Sequence, residues 1–314
     1  MNKGLLIIGA IAVLSLTGCG QKDATSEVKV SENGTKTNVA YIKREALQPY
    51  EKYTPFKQIK QYKIGSEEHK KNMEAHRNFY WSSAPINYEL LAYDYLDGYA
   101  DETDTFKKKD IVKANKEKLD AIYQSIPKNK YFAVQGNGIM SYTKFNDQDK
   151  GFNLFLSAKE YMNDGDLAFQ LAEKDVRNNR PNQLYYSISI AGQRNTEVDE
   201  LKRRDNFLYI PKNEDEARTI EAELSGPDAQ NNIKHVYLGR SIGARFDGNN
   251  TYSPIFMIDG ISLVNQKTGK VIYTVDKTQL GDKYQIQCSS TAKALGLNEI
   301  SSSRSEFCRG ISGD

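Results

Sequence analysis

The hydrophobic period of this chain changes at Pro127, and that change restricts the folds open to it. Before Pro127 apolar residues recur at helical spacing; after it they mostly alternate. Ser66, followed by Glu67 and Glu68, opens a helix predicted over 66–80 with Met73, His76 and Tyr80 facing inward. A second helix is predicted over 86–99, with Pro85 at its first turn and Ile86, Leu90, Leu91, Tyr95 and Leu96 apolar on most sides. A third is predicted over 107–126, striped by Ile111, Leu119, Ile122, Tyr123 and Ile126.

Downstream, short strands are predicted over 131–135, 139–144 and 152–156. Leu184, Tyr186, Ile188 and Ile190 alternate with Tyr185, Ser187, Ser189 and Ala191, the pattern of a half-buried strand. Further strands are predicted over 207–210, 233–238, 241–246, 254–264 and 270–275, the last two joined by a Gly-containing hairpin connection. One helix interrupts them over 213–225. Asn213 caps it, Glu214, Asp215 and Glu216 put negative charge on its first turn, and Gly226-Pro227 ends it. A run of helices followed by a run of strands predicts an α+β fold, an N-terminal helical part packed on a largely antiparallel β-sheet.

The first residues have a different logic. After Lys3, an apolar run from Leu5 to Leu16 closes on Leu16-Thr17-Gly18-Cys19. It is too short to span a bilayer as a helix and has the length of a signal-peptide core. Charge, apolar run, Leu, Gly and Cys fall in the order that resembles the lipobox of bacterial lipoproteins. The resemblance covers about the first 20 residues. It implies that residues 1–18 are a signal peptide and that Cys19 becomes an acylated N-terminus anchoring the chain to a membrane. Each buried CH₂ of such a lipid contributes about 0.8 kcal/mol, so two or three chains hold a domain at a bilayer. The residue after Cys19 is Gly20 rather than Asp, which by the same resemblance implies the outer membrane, facing the periplasm.

Residues 19–38 are small, polar and charged, and are expected to be the acylated Cys and a flexible tether, with the folded body starting near Val39 or Tyr41. The body then divides into a mainly helical part, 39–127, and a β-rich part, 128–314, whose C-terminus forms a disulfide loop. That loop follows from cysteine usage: besides Cys19 the chain has Cys288 and Cys308, and an even pair in an exported protein is most simply a disulfide. Closing a loop of about 20 residues restricts the unfolded chain by about 3 kcal/mol in the loop-entropy account.

Charge narrows the partners. There are 43 Lys and Arg against 41 Asp and Glu, formally +2, and losing Lys3 with the signal leaves +1. Nucleic acid, which needs a strong basic field, is not an expected partner, nor is a polybasic membrane patch expected. Twenty Tyr against one Trp suit half-buried strands and interfaces.

Several motifs point toward catalysis without completing it. Gly239-Arg240-Ser241-Ile242-Gly243 matches G-x-S-x-G, but a strand into a turn follows it where a nucleophile elbow needs a helix. Every His, at 69, 76 and 235, also precedes Ser241. A strand bend with Gly at bulge positions is the expectation. His69 and His76 share a helix face with Met73 between them and Glu67, Glu68 and Glu74 nearby, yet lack the i, i+4 spacing of a zinc helix. Asp147-Gln148-Asp149-Lys150-Gly151 starts like a calcium loop but has Gly at the fifth position and Ala158 at the twelfth, so a solvated hairpin turn is expected. Asn163-Asp164-Gly165-Asp166 is a turn signal, and Lys267-Thr268-Gly269-Lys270 lacks the earlier Gly of a phosphate loop.

No catalytic set, cofactor site or metal site is assigned from the sequence. The expectation is a lipid-anchored envelope protein that binds a protein, peptide or glycan partner. The competing expectation is an envelope hydrolase, for example a glycan-cleaving enzyme using two carboxylates about 5 to 9 Å apart. A third is an accessory lipoprotein of an envelope complex with no small ligand.

Overall fold

The computed structural model describes residues 24–30, 34–56, 66–136, 140–157, 166–167, 185–186, 188–191, 204–227, 229–246, 251–286 and 289–297. Cys19, Cys288 and Cys308 lie outside these, as do Asn163, Asp164 and Gly165.

The chain opens with the strands β1 (Ala24–Val30) and β2 (Lys36–Lys43), followed by a 3₁₀ turn at Tyr50–Lys52 and β3 (Thr54–Phe56). Four helices follow: α1 (Glu67–Trp81), α2 (Tyr88–Tyr95), α3 (Thr105–Ala114) and α4 (Lys116–Ser125). Strands β4 (Tyr131–Gln135), β5 (Met140–Tyr142), β6 (Phe152–Ser157), β7 (Asp166–Leu167), β8 (Tyr185–Tyr186), β9 (Ile188–Ala191) and β10 (Arg204–Tyr209) come next. Helices α5 (Glu214–Leu224) and α6 (Ala229–Asn232) precede β11 (Ile233–Phe246), β12 (Thr251–Asn265) and β13 (Lys270–Val275). Helix α7 (Lys277–Leu280), strand β14 (Lys283–Gln285) and helix α8 (Ser289–Ala294) complete the described elements.

The fold is α+β. A central sheet runs β3-β4-β11-β12, and the far edge of β12 is shared between β13 along one half and β8 and β9 along the other, with β7 beyond β9. Pairing is antiparallel except where β3 meets β4 and where β8 and β9 meet β12. Two smaller sheets, β5-β6-β10 and β1-β2-β14, complete the β structure of the described residues.

One face of the central sheet carries Phe132, Tyr237, Phe256 and Leu263 against Phe79 of α1, Ile220 and Leu224 of α5, and Phe152, Leu154 and Phe207 of the β5-β6-β10 sheet. Phe79 stacks on Phe132 at 3.8 Å between centroids and meets Phe56 and Phe256 edge-on. The opposite face carries Ile255 and Met257 against Ala40 and Ile42 of β2 and Leu295 beyond α8, with Val236, Leu238 and Val264 packed on Tyr53. Helices α2 and α4 build their own cluster with Trp81, through Leu91 and Leu119.

The prediction over 131–135 matches β4 residue for residue, and the helix expected over 213–225 is α5 with Asn213 as its cap. Other expectations are corrected. The segment 19–38 is not tether throughout, because Ala24–Val30 pairs along its length with β2, Val30 opposite Lys36 and Ala24 opposite Ile42. Cross-strand pairing rather than burial of the strand's own side chains makes it a strand, so its polar composition concealed it. The helix expected from 86 starts at Tyr88, since the side chain of Asn87 accepts the Leu90 N–H and sets the start beyond Pro85. The helix expected over 107–126 is two. Asn115 leaves helical geometry, and its side-chain amide donates to the Ile111 carbonyl, closing α3 before α4 begins.

The strands expected over 233–238 and 241–246 are one strand, β11, bent at two irregularities opposite β12. At the first, Leu238 pairs with Gly260 and Gly239 with Ile258, leaving Asp259 as the extra residue of a bulge. Side-chain parity along β12 switches there: Phe256 and Ile258 share a face with Ile261 and Leu263. Gly239 is required by contact, since a Cβ there would sit 2.0 Å from the Met257 carbonyl oxygen.

Candidate functional site

Two places carry the chemistry of the described surface and interior. The first lies on the face of the central sheet that β2 covers. Arg240 is wholly buried and Asp259, on the same face two residues beyond Met257, the residue opposite Arg240, is almost so. Nη1 of Arg240 donates to both Asp259 carboxylate oxygens, and Nη2 donates to the Lys43 carbonyl at 2.7 Å. Nε lies 3.1 Å from Glu45 Oε1. Glu45 also accepts from the Tyr131 hydroxyl at 2.9 Å and from Lys130 Nζ at 3.1 Å, while its backbone N–H donates to Asp259 at 2.9 Å. Arg44 donates to the carbonyls of Ile258 and Leu280 at 2.7 and 3.3 Å.

Opposing effects set the ionisation of this cluster. Partial burial raises the Glu45 carboxyl, but Arg240, the Tyr131 hydroxyl and Lys130 together outweigh it and hold Glu45 below the usual carboxylate range. Burial pushes Asp259 upward against the pull of Arg240. Burial lowers Arg44 to about 10 and, with Glu45 accepting its proton, raises Tyr131 to about 12. The cluster brings two carboxylates together, but Arg240 stands between them and engages both. What it does is fasten residues 43–45, the chain leaving β2, to β11 and β12.

The second place is a groove of about 890 Å³ between α5 and the turn joining β5 to β6. Glu221 of α5 accepts the Phe145 N–H at 2.9 Å and so ties the turn to the helix. Asn213 caps α5 by accepting from the Glu216 N–H at 2.9 Å, and Glu216 accepts the Tyr209 hydroxyl at 2.9 Å. Phe145, Ile210, Pro211 and Ala217 supply apolar surface, and Ile210 is 60% exposed. Both signs of charge stand around them: Lys150 and Arg218 as well as Asp147 and Glu214.

The residues singled out in the sequence have other duties. Ser241 is buried within β11, hydrogen bonded to the Ser83 hydroxyl, and Gly239 and Gly243 mark the two irregularities of the strand. That is the bend expected for the G-x-S-x-G match. His76 is buried with its ring edge-on to Phe56 at 4.5 Å, a place in the interior rather than on an exposed helix face. Among the described residues no group of three His, Cys, Asp or Glu side chains is placed to hold a metal ion. Asp149 accepts from the amides of Asn146 and Asn153 inside the turn Asn146–Gly151, which accounts for the acidic run there as hairpin chemistry. Lys267-Thr268-Gly269-Lys270 turns between β12 and β13, with Gly269 at φ 73°.

Sequence reasoning missed Arg240 and Asp259 as a pair. The signal available was that each is a charge inside an apolar run, YLGRSIG and FMIDGIS, where a charge that is buried must be paired. Glu45 and Arg44 carry no such signal.

No protein-family model, no curated protein and no solved structure matches this chain.

Proposed function

We propose that this chain is a lipid-anchored envelope protein, held to a membrane through an acylated Cys19, that acts by binding a polypeptide segment rather than by bond chemistry. The observation that carries the reading is the groove along α5, where exposed Ile210 and half-buried Phe145 are framed by Lys150 and Arg218 on one hand and Asp147 and Glu214 on the other. Apolar surface with both signs of charge around it suits a polypeptide, which offers side chains of each kind, better than a uniformly charged polymer. Sugar rings favour stacking on several aromatic faces, and among the described residues lining the groove Phe145 is the one that provides such a face. Gly20 after Cys19 supports, through the resemblance to lipoproteins, an anchor at the outer membrane. The hydrolase reading is weakened by Arg240, which occupies the meeting point of Glu45 and Asp259.

The test is photo-crosslinking in cells from an aryl azide side chain substituted at Ile210, beside a Cys19→Ser control. A dominant polypeptide adduct that disappears when Ala217→Arg fills the groove, and that weakens without Cys19, is the expected result. Adducts indifferent to Ala217→Arg, or adducts to glycan alone, would overturn it.

A further inference from the structure

Strand β1 is the outer strand of the β1-β2-β14 sheet, and among the described residues no strand pairs with its free edge. It runs for seven residues with no Pro, Gly or register shift, so within the strand itself only charge blunts the edge. Val28 and Val30 are each 60% exposed, and they lie on the face that continues inward as Ala40 and Ile42, both wholly buried. Glu27 and Lys29 lie on the other face, with Lys283 Nζ 3.8 Å from the Glu27 carboxylate and Lys29 Nζ 5.2 Å from the Tyr41 ring centroid.

We infer that this edge is an interface between two copies of the chain, pairing β1 with β1 antiparallel about a two-fold axis at Val28. A two-fold normal to a continuous sheet keeps every side chain on its own face, so the axis must pass opposite one residue. Centred on Glu27 it sets that carboxylate against itself, and centred on Lys29 it sets two ammonium groups together. Centred on Val28 it sets Glu27 opposite Lys29 of the partner subunit, twice, and joins the exposed valines of both copies into one apolar strip. Opposite charges directly across a ladder attract and like charges repel, so of the registers centred on residues 27, 28 and 29 the charge pattern selects the one at Val28.

The pairing stands on the edge strand, and it is strengthened by the anchor reading. Cys19 lies five positions before Ala24, so a lipid there holds β1 within about 18 Å of the bilayer in every copy. Confinement at one height raises the effective concentration of matching edges.

The experiment uses the full chain in its native cells. Val28→Cys, oxidised and run on a non-reducing gel, is expected to give a covalent dimer that the parent chain does not give. Cβ atoms across such a pair lie close to disulfide range. Val30→Cys, whose symmetry mate is Ser26, is expected to give little. On detergent-solubilised full chain, Lys29→Glu is expected to weaken dimerisation by about tenfold, because two attractive pairs become repulsive. Glu27→Lys combined with Lys29→Glu is expected to restore it. Failure of Val28→Cys to dimerise, equal dimerisation by Val30→Cys, a crosslink to a different polypeptide, or failure of the double exchange to rescue would each overturn the pairing. Fatty-acid labelling at Cys19 reads the anchor separately: dimers without label leave the pairing standing, and label without dimers overturns the pairing alone.

Discussion

Asp259 is the extra residue of the β-bulge opposite Leu238 and Gly239, and its carboxylate meets the guanidinium of Arg240 with both side chains removed from solvent. Asp259 keeps the alternation of Ile255 and Met257, and Met257 lies opposite Arg240, so the two charges share a face; the bulge shifts parity only from Gly260 onward. The same guanidinium holds the Lys43 carbonyl and Glu45, so one buried cation connects the chain leaving β2 to the two longest strands.

Removing either member of the pair takes a buried charge's main partner away, leaving Arg240 with Glu45 and the Lys43 carbonyl, or Asp259 with the Glu45 N–H. Arg240→Met and Asp259→Leu are each expected to cost about 3 to 5 kcal/mol, whereas the double substitution costs less than the sum of the two. Urea unfolding of the two single variants and the double variant measures the coupling. Additive costs would mean that the pair contributes nothing as a pair.

Trp81, the only tryptophan, is fully buried and donates its indole N–H to Asp94 at 2.8 Å, with Arg77 Nε 3.9 Å from the same carboxylate. Its fluorescence is expected to be blue-shifted and poorly quenched by iodide, and to report unfolding of the α2–α4 cluster. Asp94→Leu strands the indole donor and is expected to cost about 1 to 3 kcal/mol. Emission already red-shifted in the native protein would contradict this placement.

His235 is buried, and burial, reinforced by neighbouring Lys234, lowers its pKa from the ordinary 6.5 to about 4. The folded chain therefore refuses a proton that the unfolded chain accepts. Stability is full above pH 6.5, falls as pH drops toward 4 with a slope approaching 1.4 kcal/mol per pH unit, and levels below it. The loss across that window is on the order of 3 kcal/mol. The difference in urea midpoint between the parent and His235→Gln, followed from pH 7 to pH 4, isolates this share. Parallel pH curves would refute it. The space is tight as well, since a Cβ on Gly136 would fall 1.8 Å from His235 Nε2. Gly136→Ala is accordingly expected to destabilise the parent more than the variant His235→Ala.

Asn213 both caps α5 and lines the groove. Asn213→Ala is expected to cost about 0.5 to 2 kcal/mol through the lost cap, and Asn213→Asp, which keeps the acceptor, much less. Thermal unfolding of both variants distinguishes the cap from the bulk of the side chain. Equal losses would mean that the hydrogen bond to Glu216 is not what stabilises the helix start.

Local chemistry was legible wherever one residue type settles the backbone. Asn213 with three acids after it, the alternation over 131–135, and the Gly positions around Ser241 each determined a cap, a strand and a bend, because propensity, periodicity and glycine's freedom act over a few residues. The α+β order was legible for the same reason: it is a sum of local periods. Tertiary structure decided what depends on contacts distant in sequence. It made Ala24–Val30 a strand by pairing it with β2, ended α3 at Asn115, and joined two predicted strands into β11. It also gathered Arg240, Asp259 and Glu45 from positions up to 214 residues apart, as the Glu45 N–H donating to Asp259 records. No period in the sequence encodes that meeting, because a buried charge is paired by whatever partner the fold carries to it, and only the register of β11 against β12 determines which one arrives.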